Sequence, residues 1–155
     1  MLVAAGRLDT RMYGPGTLDH AMPRRSVYFR IKRSQLVPMM MLFDWPEHLV
    51  SIGRRGTTTT APQALSFLNG DLARRCALGF ADRLAIETDP SSIAIHGYRI
   101  AFGRDLTEAE TQLATSFIAT QRSAYLSAGR PEPSRAALAD FCQALMQMSE
   151  FIYIP

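Results

Sequence analysis

The chain is poor in the residues that most often carry chemistry. Its 155 residues include two cysteines, three histidines, one tryptophan and a single lysine. Cys76 and Cys142 both fall on apolar helical stretches with no partner ligand at metal spacing, which argues for buried thiols and against a disulfide framework. His20, His48 and His96 are too dispersed to read as a metal triad. No window approaches the 18 uninterrupted apolar residues of a membrane-spanning helix. The opening MLVAAGRLDT lacks a basic stretch followed by a long apolar one, so it does not read as a signal peptide. There is no glycine-flanked serine of the nucleophile-elbow kind and no internal repeat of fixed period.

What is present suits one ordinary core. With 47% hydrophobic and 20% charged residues, a single domain over 1–155 is the expectation, divided into a basic arm and strand (1–56) and a helical core (57–155). Charge is unevenly placed. Residues 1–56 hold nine Lys/Arg against four Asp/Glu, and residues 57–155 hold eight against ten. Sixteen of the 17 cations are arginine, whose planar fork suits carboxylates, phosphates and sulfates, although a codon bias toward arginine would leave the same mark.

Residues 1–25 carry Gly6, Gly14, Pro15, Gly16 and Pro23 without periodicity and read as an extended arm. MLVAAGRLD looks like the tail of a helix interrupted by a glycine, so the expectation is that Met1 opens mid-protein, behind an upstream domain. SVYFRIKR alternates Val27, Phe29 and Ile31 with Tyr28, Arg30 and Lys32, the pattern of a half-buried strand. Pro38–Phe43 predicts one or two helical turns, with methionines as adaptable core filler or groove lining. Thr60 with Gln63 makes a capping box opening a helix that Asn69 and Gly70 end.

Further on, Leu72, Cys76, Phe80 and Leu84 recur at i+4 and predict a core-facing helix over 71–87. Asp89–Pro90 marks the next start and Gly103 its stop, with apolar spacing that suits helix or strand. Thr107 with Glu110 opens a helix running to 127 or 128, with Leu113, Phe117 and Ala124 on one stripe and Ile118 and Tyr125 alongside. Ser134 is expected to cap a last helix whose inner face carries Leu138, Phe141, Cys142, Leu145, Met148 and Ile152. The fold class that follows is mainly α: a helical bundle with an extended N-terminal arm and at most one short strand pair.

Three constellations bear on function. Arg54 and Arg55 beside Thr57 and Thr58, ahead of a helix start, combine guanidinium, hydroxyl and backbone donors for an anion; helix capping and arginine–carboxylate pairing account for the same residues. Asp44 and Trp45, with Glu47 and His48, resemble the aromatic platform and carboxylates of a sugar site, and equally a turn around a buried tryptophan. Arg24, Arg25, Arg30, Lys32 and Arg33, with Tyr28 or Phe29 for stacking, form a basic docking surface; the same residues suit a polyanion backbone or a solvated strand face. His96, on an apolar stretch, is expected to be a partnered core residue.

The ordered segments RRSVYFRIKRSQL, LFDWPE, GRRGTTTTAPQALSFLN, YRIAFGRDLTEAE and LADFCQALMQMSEFIYIP together resemble domain of unknown function 1553, over essentially the whole chain from residue 3. The resemblance implies the C-terminal module of planctomycete-type multidomain proteins that often carry a cytochrome-c-like domain, and a place in the periplasm or cell envelope. It departs from the family's usual ending, because Phe151 is followed by Ile152 and Tyr153 and the sequence closes at Pro155 without the acidic residue. A covalent haem needs Cys-x-x-Cys-His, which neither cysteine offers, so no cofactor is expected in this chain. The leading expectation is a non-catalytic docking or accessory module whose partner is an upstream domain of the same or another protein. The alternatives are part of an enzyme that binds or degrades an anionic, sulfated polysaccharide, using Trp45, Arg54 and Arg55, and, less favoured, a nucleic-acid-binding module.

Overall fold

A computed structural model of the chain describes residues 1–19, 21–32, 34–45, 53, 58 and 60–153. Among these the protein is mainly helical: α1 (Pro38–Leu42), α2 (Ala61–Asn69), α3 (Asp71–Leu84), α4 (Pro90–Phe102), α5 (Glu108–Ser127), α6 (Pro133–Gln147) and α7 (Ser149–Ile152). The residues group into two compact units, Met1–Arg7 with Phe67–Pro155, and Leu8–Ser66.

In the first unit, α6 lies against α3 and α5, and α4 packs on α5. The i+4 stripe predicted for α3 faces the core: Cys76, Phe80 and Leu84 are buried, and alanines 73, 77 and 81 flank them. From α6, Leu138, Phe141, Cys142 and Leu145 meet that stripe, with Met146 fully enclosed. Small residues allow the close approach. A methyl group on Gly97 of α4 would sit 3.0 Å from Phe141 Cε1.

The helix boundaries follow local chemistry. Asp89 accepts from Ser92 N–H at 2.9 Å, Pro90 supplies a preset φ, and α4 ends at Gly103 in the left-handed region (φ 71°). The ambiguous spacing of 90–102 is thus helical. Thr107 and Glu110 form the full capping box of α5: Glu110 Oε2 accepts from Thr107 N–H at 2.8 Å, and Thr107 Oγ1 accepts from Glu110 N–H at 3.3 Å. Residues 1–7 form a helix-like turn closed at Gly6 (φ 65°), with Ala4 and Ala5 buried in the core. The Arg83 guanidinium holds that turn by donating to the Val3 and Ala4 carbonyls at 3.1 and 2.5 Å.

In the second unit, SVYFRIKR does not form a strand. Ser26–Tyr28 is a 3₁₀ turn, and the only ladder contacts among the described residues are isolated bridges, Thr17 with Phe29 and Lys32 with Gln35. An alternating pattern becomes a strand only when a neighbour pairs with its ladder groups, and here the pairing stops after one residue. Val27 and Ile31, expected on the inner face, are 74% and 57% exposed. The stripe expected on α5 is also displaced. Leu113 is 69% exposed, whereas Ala114 and Ile118 are buried, because α5 turns the face one residue over toward its neighbours. Ser134 does not cap α6, which begins at Pro133 behind Glu132 (φ 52°) and stops at Gln147. Met148 takes extended geometry (ψ 143°), so Ile152 belongs to α7 and not to the α6 stripe.

Candidate docking surface and anion site

Within the second unit, α1 starts at Pro38 and its short helix brings Met40 and Met41 toward the chain that precedes it. After Phe43 the backbone reverses at Asp44 (φ 54°), a left-handed conformation that aspartate tolerates better than most residues. Trp45 follows, half-buried, and its backbone N–H donates to the Met40 carbonyl at 3.1 Å. Trp45, Met40, Met41 and Phe29 then line one cleft together with Arg30 and Lys32. It encloses only about 20 Å³, the room of a single water, so it is a contoured surface more than a chamber.

Two of the candidate anion-site residues meet directly. Thr58 N–H and Thr58 Oγ1 each donate to a carboxylate oxygen of Asp44 at 2.7 Å. The donors Thr58 would offer an anion are therefore already given to Asp44, and the pair clasps residue 58 to the turn after α1. Arg54, Arg55, Thr57 and Arg33 lie outside the described residues, as do Glu47, His20 and His48. Downstream, half of the expected capping box is present: Gln63 Oε1 accepts from Thr60 N–H at 3.1 Å, and Gln63 Nε2 donates to the Leu42 carbonyl at 2.9 Å.

The basic residues divide into two kinds. Arg24 is internal bracing: its guanidinium lies 3.5 Å from the centre of the Tyr28 ring and donates to the Arg11 and Tyr13 carbonyls at 2.9 and 2.5 Å. Tyr28 in turn accepts from Tyr13 N–H at 2.9 Å. Arg25, Arg30 and Lys32 are exposed and pair with no described carboxylate. Beside them stand exposed Val27, Ile31, Leu36 and Met41. The sequence alone does not reveal that Arg30 and Lys32 border the same cleft as Trp45; the signal it offers is the methionine run at 39–41, lying between the basic stretch and Trp45.

The charged residues of the first unit are mostly spent on stitching helices. Arg104 makes forked contacts to two carboxylates, Glu110 (2.7 and 3.0 Å) and Glu150 (2.6 and 2.9 Å), tying α5 and α7 to the end of α4. The Arg104 guanidinium, then the Thr107 N–H and hydroxyl, hold the Glu110 carboxyl well below the usual range, at about 2. Asp140 on α6 accepts from Arg74 at 2.7 Å and from the Tyr125 hydroxyl at 2.6 Å, joining α3, α5 and α6. His96 is partnered, with Nδ1 3.2 Å from Glu87, but it is an exposed residue and not the core residue expected. Both cysteines are buried free thiols, and burial pushes each thiol up from its ordinary value.

Among the described residues, no three His, Cys, Asp or Glu side chains gather as a metal site would require. None of the described helices is long and apolar enough to cross a membrane. Fold and surface together define a small helical module in a chain that also carries a basic, partly apolar segment. The chain belongs to the family described as Protein of unknown function (DUF1553), whose match spans residues 1–118. That match ends within α5, so the closing segment LADFCQALMQMSEFIYIP stands outside it. No curated protein and no solved structure is detectably similar to the chain.

Proposed function

We propose that this protein is a non-catalytic docking or accessory module, and that the surface around residues 25–45 meets an upstream domain or a partner protein. One observation carries the reading: exposed Val27, Ile31, Leu36 and Met41 are interleaved with exposed Arg25, Arg30 and Lys32, which no described carboxylate neutralises. Apolar contacts interleaved with uncompensated cations suit a partner surface that is apolar and acidic, which would cover the first and pair with the second. The small volume at Trp45 fits this reading better than it fits a site that must enclose a substrate.

Lys32 is the only lysine among these 155 residues, so a crosslink mapped to the peptide that carries it reports on this surface. Amine-reactive crosslinking of the protein in its native host should link Lys32 reproducibly to one protein surface. Arg30→Glu with Ile31→Asp should abolish the link while leaving the melting temperature unchanged. Crosslinks scattered over many unrelated proteins, or unaffected by the double substitution, would refute the assignment of this surface.

A second reading keeps one observation in its favour: Trp45 shares its cleft with Arg30 and Lys32, an aromatic platform beside two cations. Under that reading the ligand is an anionic glycan. Dextran sulfate should then raise the melting temperature of the wild type, and Trp45→Ala should remove the shift.

A further inference from the structure

A different groove lies wholly within the helical unit, between the end of α3, the start of α4, the middle of α5 and the start of α6. Its volume is about 340 Å³, within the range of small-molecule pockets. The floor is aliphatic: Ile93, Ile118 and Leu138, each 7% exposed, come from three different helices. Around the rim stand the hydroxyls of Thr88 and Ser134 and three charged side chains.

Two of those charges are already engaged. Arg135 is held by Asp82 at 2.8 Å and by Glu132 at 3.2 Å, and Glu87 is held by His96 at 3.2 Å. Arg122 is exposed and forms no ion pair with any described residue. An aliphatic floor under one uncommitted guanidinium and two hydroxyls selects a molecule with an apolar body and an anionic, hydrogen-bond-accepting head. We infer that this groove binds a small carboxylate with an apolar body, its carboxylate on Arg122 and its body on Ile93, Ile118 and Leu138. The site is independent of the docking surface and uses none of its residues.

Three probes with the same body separate head from tail: 4-phenylbutyrate, 4-phenylbutanol and 4-phenylbutylamine, titrated into the full chain by calorimetry. The acid should bind saturably and about tenfold more tightly than the alcohol, the scale of one charge-assisted hydrogen bond. Arg122→Gln should bring the acid down to the affinity of the alcohol and leave the alcohol unchanged. Ala85→Trp, which fills the groove from an exposed rim position, should eliminate all three while the far-ultraviolet circular dichroism and melting temperature stay those of the wild type.

Four results would overturn the inference. They are no saturable binding by the acid, tighter binding of the amine than of the acid, an Arg122→Gln protein that keeps the wild-type affinity for the acid, or a folded Ala85→Trp protein that still binds it. If Ala85→Trp does not fold, Ser134→Trp from the opposite rim serves in its place, with the same expectation.

Discussion

Gly97 sits where α4 crosses α6, and replacing it with alanine sets two opposing effects against each other. Alanine favours a helix over glycine by about 1 kcal/mol, and burying its methyl contributes up to about 0.8 kcal/mol more. Against this, the new Cβ would stand 3.0 Å from Phe141 Cε1, 3.2 Å from Leu145 Cδ1 and 3.5 Å from Leu84 Cδ1. Carbon atoms settle at about 3.5–4.0 Å, so the first two must retreat by several tenths of an ångström. Phe141 and Leu145 are 4% and 2% exposed, and although both border a groove of about 410 Å³ along α5 and α6, both must move at once, which puts the overpacking cost near the upper end of its range, about 3 kcal/mol. The net expectation for Gly97→Ala is a loss of about 1 kcal/mol, read as a drop of about 2–4 °C in melting temperature or as an equivalent urea-midpoint shift. In the Gly97→Ala background, Leu145→Ala should cost less than it does in the wild type, because it opens the space that the methyl needs. A Gly97→Ala protein as stable as the wild type, or more so, would show that α4 and α6 do not meet as closely as described.

Two further outcomes follow from the titratable groups. The Glu110 carboxyl is depressed in the folded protein from 4.5 to about 2, so its charge favours folding above about pH 4.5, and that contribution is lost as pH falls toward 2. Glu110→Gln should therefore lower the urea midpoint at pH 7, with the gap to the wild type closing across that window; a gap independent of pH would show that the Arg104 pair is not its source. Cys142, fully buried and with its thiol raised by burial, should resist iodoacetamide at pH 8 at a rate set by unfolding, and Cys76 should also react slowly. Labelling of either at the rate of a free cysteine would contradict the packing of α3 on α6.

The elements that could be read from sequence were those with local causes. Asp89, Pro90 and Gly103 bound α4 through short-range hydrogen bonds and backbone preferences, and Thr107 with Glu110 does the same for α5. Sequence and structure part where the cause is distant. The alternation of 27–31 has no partner strand to complete it, the buried face of α5 is chosen by its neighbours, and α6 stops at Met148 without a glycine or proline to announce the break. The candidate site was legible as residue types and not as an arrangement. Asp44 and Thr58 read from sequence as separate ligand groups, yet they hydrogen-bond to each other, and Trp45 joins cations more than ten residues away.

By itself the sequence determined the helical class, the helix starts that carry capping residues, the buried thiols and the absence of a haem-attachment motif, because each depends on residues within a few positions of one another. Tertiary structure alone decided which arginines are spent on bracing and which stand exposed, which apolar side chains remain uncovered, and where a groove opens between helices. Those outcomes depend on which surfaces meet, and a guanidinium is committed only when folding brings a carboxylate or carbonyl within reach, as Arg104 meets Glu150 across 46 residues of chain.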